Sequence, residues 1–128
     1  MSDSRGLESQ ECLELLAACT EAGRLERARK IVGKVDLQIS DSELVIAAVA
    51  NYNVVIDIAA RRIQHGCRDF QSQASSRRLC KHVAATLMAL EETTVLPIAK
   101  QLAEGAQAPS TGVVVPWSFE VITRFAPR

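Results

Sequence analysis

The sequence predicts an α+β fold with a leading helix, a small antiparallel β-sheet and a return to helix in the second half of the chain. Three observations predict it. Apolar residues recur at helical spacing near the N-terminus, alternate or run continuously in short segments between residues 35 and 64, and take up helical spacing again after residue 80. Polar turns separate the short segments, which is typical of an antiparallel meander.

The leading helix is predicted over residues 9–22, with Ser9 as its cap and Gly23 as its stop. A second, short helix is predicted over residues 24–32. The first helix carries Cys12 and Cys19 on its apolar face. Seven helical residues separate Cα atoms by about 10.5 Å, which is too far for a disulfide. We therefore interpret both cysteines as buried core residues.

Four short strands are predicted next. In the first, Val35, Leu37 and Ile39 alternate with polar residues and should form one buried face. The second is apolar on both faces, the third alternates again, and the fourth delivers the chain to His65. The four predicted strands cover residues 35–40, 44–50, 54–58 and 61–64.

The polar segment 68–79 is predicted to be a loop, and helical spacing returns over residues 80–91. In that helix Val83, Leu87 and Leu90 should pack on the sheet.

A last helix is predicted from Thr93 or Thr94 to Gly105, with Pro97 near its first turn, followed by a linker. The apolar tail, residues 113–125, contains Trp117, Phe119 and Phe125. These rings are candidate anchors for a protein partner. The tail can instead fold back on the sheet or form a contact between subunits.

Composition limits the functional classes. The 128 residues suit one domain, and 48% of them are apolar, which excludes an intrinsically disordered chain. Net charge is zero, so overall charge indicates no partner. Residues 61–82 are nevertheless basic, with Asp69 as their only acid. Their cationic residues are Arg61, Arg62, Arg68, Arg77, Arg78 and Lys81.

No signal-peptide pattern and no apolar run of about 18–20 residues is visible, so no membrane association is predicted. The expected location is intracellular, either cytoplasmic or nuclear/nucleoid. Thiols stay reduced there, which favours metal binding over a disulfide.

The most informative pattern is His65-Gly66-Cys67, twelve intervening residues, then Cys80-Lys81-His82. Residues i and i+2 of an extended segment point to the same side, so His65 and Cys67 can chelate together. Cys80 and His82 lie at the start of a predicted helix, whose N-terminus favours a thiolate. Two sulfur and two imidazole ligands suit one structural Zn²⁺ per chain. Asp69 is the nearest alternative to His65 as fourth ligand.

The segment from Cys67 to Leu90 resembles the SWIM zinc finger, whose pattern is Cys-x-Cys, a variable loop, Cys-x-His and an apolar helix. Cys67, Cys80 and His82 match the second cysteine, the third cysteine and the histidine of that pattern. His65 stands where the family has its first cysteine. The segment 29–35 (Arg-Lys-Ile-Val-Gly-Lys-Val) is similar to the family's entry into its first strand.

The resemblance implies three parts: an N-terminal helical segment (1–26), a SWIM-type zinc-binding domain (27–92), and a C-terminal helix, linker and apolar tail (93–128). It also implies a role in DNA repair by homologous recombination, as in compact SWIM proteins that partner RecA-type recombinase paralogues.

We therefore expect an interaction module and not an enzyme, because four protein ligands close a zinc site and no His-Glu-x-x-His run exists. A recombinase paralogue, DNA, another protein or a second copy of the chain remain open as partners. Two alternative functions also remain open, namely a zinc-stabilised protein adaptor that does not bind DNA and a redox-sensitive zinc switch. The candidate contact residues are Arg68, Arg77, Arg78, Lys81, Trp117 and Phe119.

Overall fold

The computed structural model describes residues 10–76, 78–107 and 117–122, and it has helices packed against a five-stranded sheet. The α+β class and the small sheet are as predicted. The helices are α1 (Gln10–Ala18), α2 (Ala22–Ile31), α3 (Arg68–Gln73), α4 (Lys81–Met88) and α5 (Glu92–Gln107). The strands are β1 (Asp36–Ser40), β2 (Leu44–Val49), β3 (Tyr52–Asp57), β4 (Arg62–His65) and β5 (Ser118–Val121).

The N-terminal helical segment consists of two helices that divide earlier than predicted. Glu21 has extended backbone angles (φ −60°, ψ 145°) and begins α2 as its N-cap, so α1 ends at Ala18 and Gly23 lies inside α2 instead of stopping α1. The predicted cap Ser9 lies outside the described residues. Cys12 and Cys19 are fully buried, as the apolar stripe predicts.

The first four strands form the predicted antiparallel meander, but β1 contains a bulge. Leu37 pairs with Ala47, whereas Ile39 pairs with Ile46, the next residue of β2. The extra residue shifts the alternation by one position, so Ile39 turns away from the core and is 42% exposed. The predicted single buried face of this strand is wrong for Ile39.

The fifth strand makes the sheet mixed and not wholly antiparallel. Residues Ser118–Val121 run parallel to β4, with Ile63 beside Phe119 and His65 beside Val121. Of the alternatives for the apolar tail, its described part, residues 117–122, folds back on the sheet. Pro116 and Phe125 lie outside the described residues.

Two C-terminal elements differ from prediction. The predicted loop 68–79 contains α3 and a 3-10 turn at Ala74–Ser76. The last helix begins at Glu92, so Pro97 lies in its second turn. Helix α4 lies within the predicted segment 80–91 but ends at Met88, so Leu90 is buried beyond the helix and not on it. The helix contacts β2 and β3, and Val83 and Leu87 are buried, as predicted.

One hydrophobic cluster joins all parts of the fold. It includes Leu16 of α1, Ala28 of α2, Ile56 of β3, Leu87 of α4 and Trp117 before β5. Helix α1 packs on α5, and α2 packs on α4. Within the described residues, the three predicted segments therefore share one core.

Candidate metal centre

The four predicted ligands converge where the sheet meets the starts of two helices. His65 is the last residue of β4, and Cys67 is the N-cap of α3. Cys80 is the N-cap of α4, and His82 is the second residue of that helix. All four side chains are buried. Each cysteine is the N-cap of a helix and has extended backbone angles, and the two sulfur atoms lie within 4.8 Å of each other.

The spacing of the donor atoms fits one small cation. One donor atom from each of the four residues lies within 4.8 Å of all the others. His65 Nε2 and His82 Nδ1 are 3.3 Å apart. Tetrahedral zinc with Zn–N bonds of 2.0–2.1 Å requires two nitrogen ligands to be separated by about 3.3 Å. The histidine pair therefore has the spacing of two vertices of a zinc tetrahedron.

A backbone carbonyl fixes the tautomer of His65. Its Nδ1 lies 2.7 Å from the carbonyl oxygen of Asn53 on β3, and a carbonyl oxygen only accepts. Nδ1 must therefore carry the proton, which leaves the lone pair of Nε2 facing His82. A hydrogen bond from the outer nitrogen to a carbonyl is the usual partner of a zinc-bound imidazole.

The surroundings of the two sulfur atoms shift their pKa values in opposite directions. The contact with Cys80, followed by contacts with His65 and His82 and the backbone N–H of Phe70, lowers the pKa of Cys67. The Phe70 N–H donates to Cys67 Sγ at 3.3 Å. Burial, and then the neighbouring Cys67, raise the pKa of Cys80. Cys67 and Cys80 form no disulfide.

Aromatic rings surround the two imidazoles. Phe70 meets His65 edge to face with 5.4 Å between ring centroids, and Phe119 stacks on Phe70 at 5.9 Å. On the other side, the Tyr52 ring lies 5.0 Å from His82 and 5.6 Å from His65. Tyr52 is 41% exposed, so its ring separates the imidazoles from solvent.

The glycine between His65 and Cys67 permits a close backbone approach. A Cβ atom at Gly66 would lie 2.0 Å from the carbonyl oxygen of Ile122. The N–H of Ile122 donates to the His65 carbonyl at 2.9 Å. Only glycine therefore fits beside the end of β5. No role is predicted for Gly66 from the sequence, because its neighbour Ile122 lies 56 positions away in the apolar tail.

Asp69, the alternative fourth ligand, is turned away from the four-residue group. Its carboxylate binds Arg24 of α2, with Arg24 Nε 2.8 Å from Oδ2 and Nη2 2.7 Å from Oδ1. These hydrogen bonds raise the pKa of Arg24. His65 therefore takes the fourth position. Arg24 was not predicted, because it is 45 residues from Asp69 and nothing local indicates the contact.

The cationic residues predicted as partner contacts differ in their exposure to solvent. Arg68 and Arg78 are exposed, Lys81 is partly buried, and Arg77 lies outside the described residues. None of the described three belongs to the four-residue group.

The aromatic contact residues are used within the fold. Trp117 is 2% exposed, and its Nε1 donates to Gln101 Oε1 at 2.9 Å. Phe119 packs against the core. Trp117 is therefore a core residue and offers no ring to a partner, which corrects its prediction as an anchor.

Comparison with known proteins does not identify a family for this chain. No family model, no curated protein and no solved structure matches this chain, so the SWIM resemblance stays a prediction. Each helix in the described part of the chain is too short or too polar to span a membrane.

Proposed function

We propose that this protein is a zinc-binding interaction module, with one Zn²⁺ bound by His65, Cys67, Cys80 and His82. The single observation that carries the proposal is the convergence of four buried donor atoms within 4.8 Å. Two sulfur and two nitrogen donors are a typical structural zinc set. Two thiolates also balance the charge of the ion, so the loaded site is neutral and suits burial.

The same geometry supports a binding role over catalysis. A catalytic zinc ion keeps one position for water, whereas four protein donors complete a tetrahedron. Asp69, the carboxylate nearest in sequence, is bound to Arg24 and is not placed to act as a base. The proposed function is therefore to hold a surface in shape.

Metal analysis of the purified chain tests this proposal. We expect about one zinc ion per wild-type chain, and none in Cys67→Ala or Cys80→Ala, because a lost thiolate leaves three donors. Cys19→Ala is the matched control, since Cys19 is equally buried but lies outside the group. Asp69→Asn should still bind about one zinc ion per chain, because all four ligands remain, even where its affinity is lower. A wild-type chain without stoichiometric metal would contradict the proposal.

The finer part of the proposal is a SWIM-type accessory role in DNA repair by homologous recombination, through a RecA-type recombinase paralogue, DNA or both. Its support is the Cys-Lys-His motif followed by an apolar helix and the basic residues beside it. Cys67 begins α3, which carries exposed Arg68, and exposed Arg78 lies just before Cys80. The zinc ion would thus hold together the two chain segments that carry these exposed cations.

Binding to DNA is tested with the double variant Arg68→Ala/Arg78→Ala. Loss of two phosphate contacts should weaken binding by about tenfold or more at low salt and should flatten its dependence on salt. Arg29→Ala/Lys100→Ala is the control, because it removes the same charge from exposed positions on other helices. Unchanged DNA binding would contradict a DNA-contact role for Arg68 and Arg78 and would favour a protein adaptor. Co-purification with a recombinase paralogue would then test that role.

A further inference from the structure

The junction of α1 and α2, which runs from Cys19 to Arg24 in the first turn of α2, contacts both chain segments that carry the sulfur ligands. The N–H of Leu79, the residue before Cys80, donates to the carbonyl oxygen of Cys19 at 2.9 Å. Asp69, two residues after Cys67, is bound by Arg24. The segments that carry Cys67 and Cys80 are therefore both bound to the junction of α1 and α2.

The hydrogen bonds between Arg24 and Asp69 fix the orientation of the two side chains relative to each other. Three hydrogen bonds join Arg24 to both carboxylate oxygens, at 2.7, 2.8 and 3.1 Å. Glu21 also contacts the Arg24 guanidinium, which holds it in place. The Arg24 and Asp69 side chains are 20% and 33% exposed, so water competes only partly for the pair.

The pair fixes the first turn of α3. That helix has six residues, too few to be stable without tertiary contacts. Its packing comes from buried Phe70, and its first turn is bound through Asp69. Because Cys67 is the N-cap of this turn, any rotation of α3 displaces the Cys67 sulfur from the other donors. The pair also keeps the Asp69 carboxylate occupied, so it cannot replace His65 as a ligand.

We propose that Arg24 is a positioning residue for the metal site and acts on the Cys67 ligand through Asp69. This inference rests on the proposed zinc binding. Removing Arg24 leaves all four ligands in the chain, yet it should weaken zinc binding because Cys67 is no longer held in place.

The test measures the zinc dissociation constant of the full chain by competition with a chromophoric chelator. Arg24→Ala should raise that constant by about tenfold or more, the range found for residues that orient metal ligands. Arg24→Lys, which keeps the charge but loses the two-pronged geometry, should give an intermediate value. Arg27→Ala is the control, because Arg27 is exposed on the same helix. Its zinc affinity should equal that of the wild type.

Asp69→Asn completes a double-mutant cycle. We expect the double variant Arg24→Ala/Asp69→Asn to bind zinc no more weakly than Arg24→Ala, because each change breaks the same contact. A purely structural role would lower the melting temperatures of the metal-free and zinc-loaded forms equally and leave zinc affinity unchanged, which would overturn the inference.

Two other outcomes are also decisive. Should Arg24→Ala fail to fold, Arg24→Lys and Asp69→Asn decide the matter with the same measurement. A wild-type chain that binds no zinc would overturn the proposed function and this inference together. A zinc-binding wild type with an unaffected Arg24→Ala variant would overturn the inference alone.

Discussion

Removal of zinc by a strong chelator should unfold the part of the protein that joins β4, α3 and α4. The four ligands are buried, and without the ion they leave two imidazoles and two sulfur atoms packed together with no cation. A structural zinc site contributes on the order of 10 kcal/mol in small zinc fingers, against a total stability of roughly 5–15 kcal/mol for a domain. Loss of the ion therefore removes a large part of the folding free energy.

The measurement is thermal unfolding followed by circular dichroism, with and without chelator. We expect the melting temperature of the wild-type chain to fall by tens of degrees, since about 1 kcal/mol corresponds to several degrees in a domain of this size. Cys80→Ala should match the chelated wild type and should not respond to added zinc. Cys19→Ala should respond as the wild type does. An unchanged melting temperature in chelator would refute a structural role for the ion.

The pH dependence of zinc binding has a definite sign. Contact with Cys80 lowers the pKa of Cys67. Burial raises the pKa of Cys80, so the metal-free chain keeps a proton on that sulfur. Zinc binds the thiolate, and this proton must leave. Zinc affinity should therefore rise as pH rises, by about tenfold per unit for one proton released.

The local patterns in the sequence were sufficient for the strands and for the pairing of ligands. Alternation places β1 and β3, and a continuous apolar run between polar turns places β2. Two ligands two residues apart are close whether the segment is extended or bent. Cys80 and His82 could be placed at the start of a helix because the apolar spacing begins immediately after them. The metal group, with its two chain segments, was therefore predictable before any tertiary contact was known.

The features that were missed depend on contacts that distant residues make. The bulge in β1 follows from the register of β1 against β2. The residue types at positions 36–40 do not indicate a bulge. Helix α3 lies in a polar stretch without helical spacing, and it forms because Cys67 caps it and Phe70 anchors it. The parallel pairing of β5 with β4 joins residues 56 positions apart, as Gln64 and Glu120 illustrate with a 2.8 Å hydrogen bond.

The site is consequently held by three separate parts of the chain. Helix α2 binds the α3 side through Arg24, β3 orients His65 through the Asn53 carbonyl, and β5 lies against Gly66. The donors could be predicted because donor chemistry is restricted to a few residue types. The groups that hold the donors in place could not be predicted, because a backbone carbonyl, a glycine and an arginine are compatible with many environments.

Gly66→Ala should destabilise the protein strongly even though it adds a single methyl group. The new Cβ would lie 2.0 Å from the Ile122 carbonyl oxygen and 3.2 Å from its carbonyl carbon. Both are backbone atoms, so no side-chain rotation relieves the clash. Relief requires either that Ile122 move, which breaks its hydrogen bond to His65, or that the His65–Cys67 segment move, which separates the ligands. We expect a loss of about 3 kcal/mol, at the upper end of the cost of overpacking.

Gly33→Ala is the matched control, because a Cβ at Gly33 meets no atom within 4 Å. That variant should be neutral or slightly stabilised, since alanine reduces the freedom of the unfolded chain. Urea unfolding of the zinc-loaded variants measures the difference in their free energies of unfolding. Competition for zinc with a chelator shows whether Ile122 or the His65–Cys67 segment moves to relieve the clash. Weaker zinc binding by Gly66→Ala means that the ligand segment moved, whereas unchanged zinc binding with lower stability means that the end of β5 moved. Equal stability of the Gly66→Ala and Gly33→Ala variants would show that Ile122 does not lie against the metal centre.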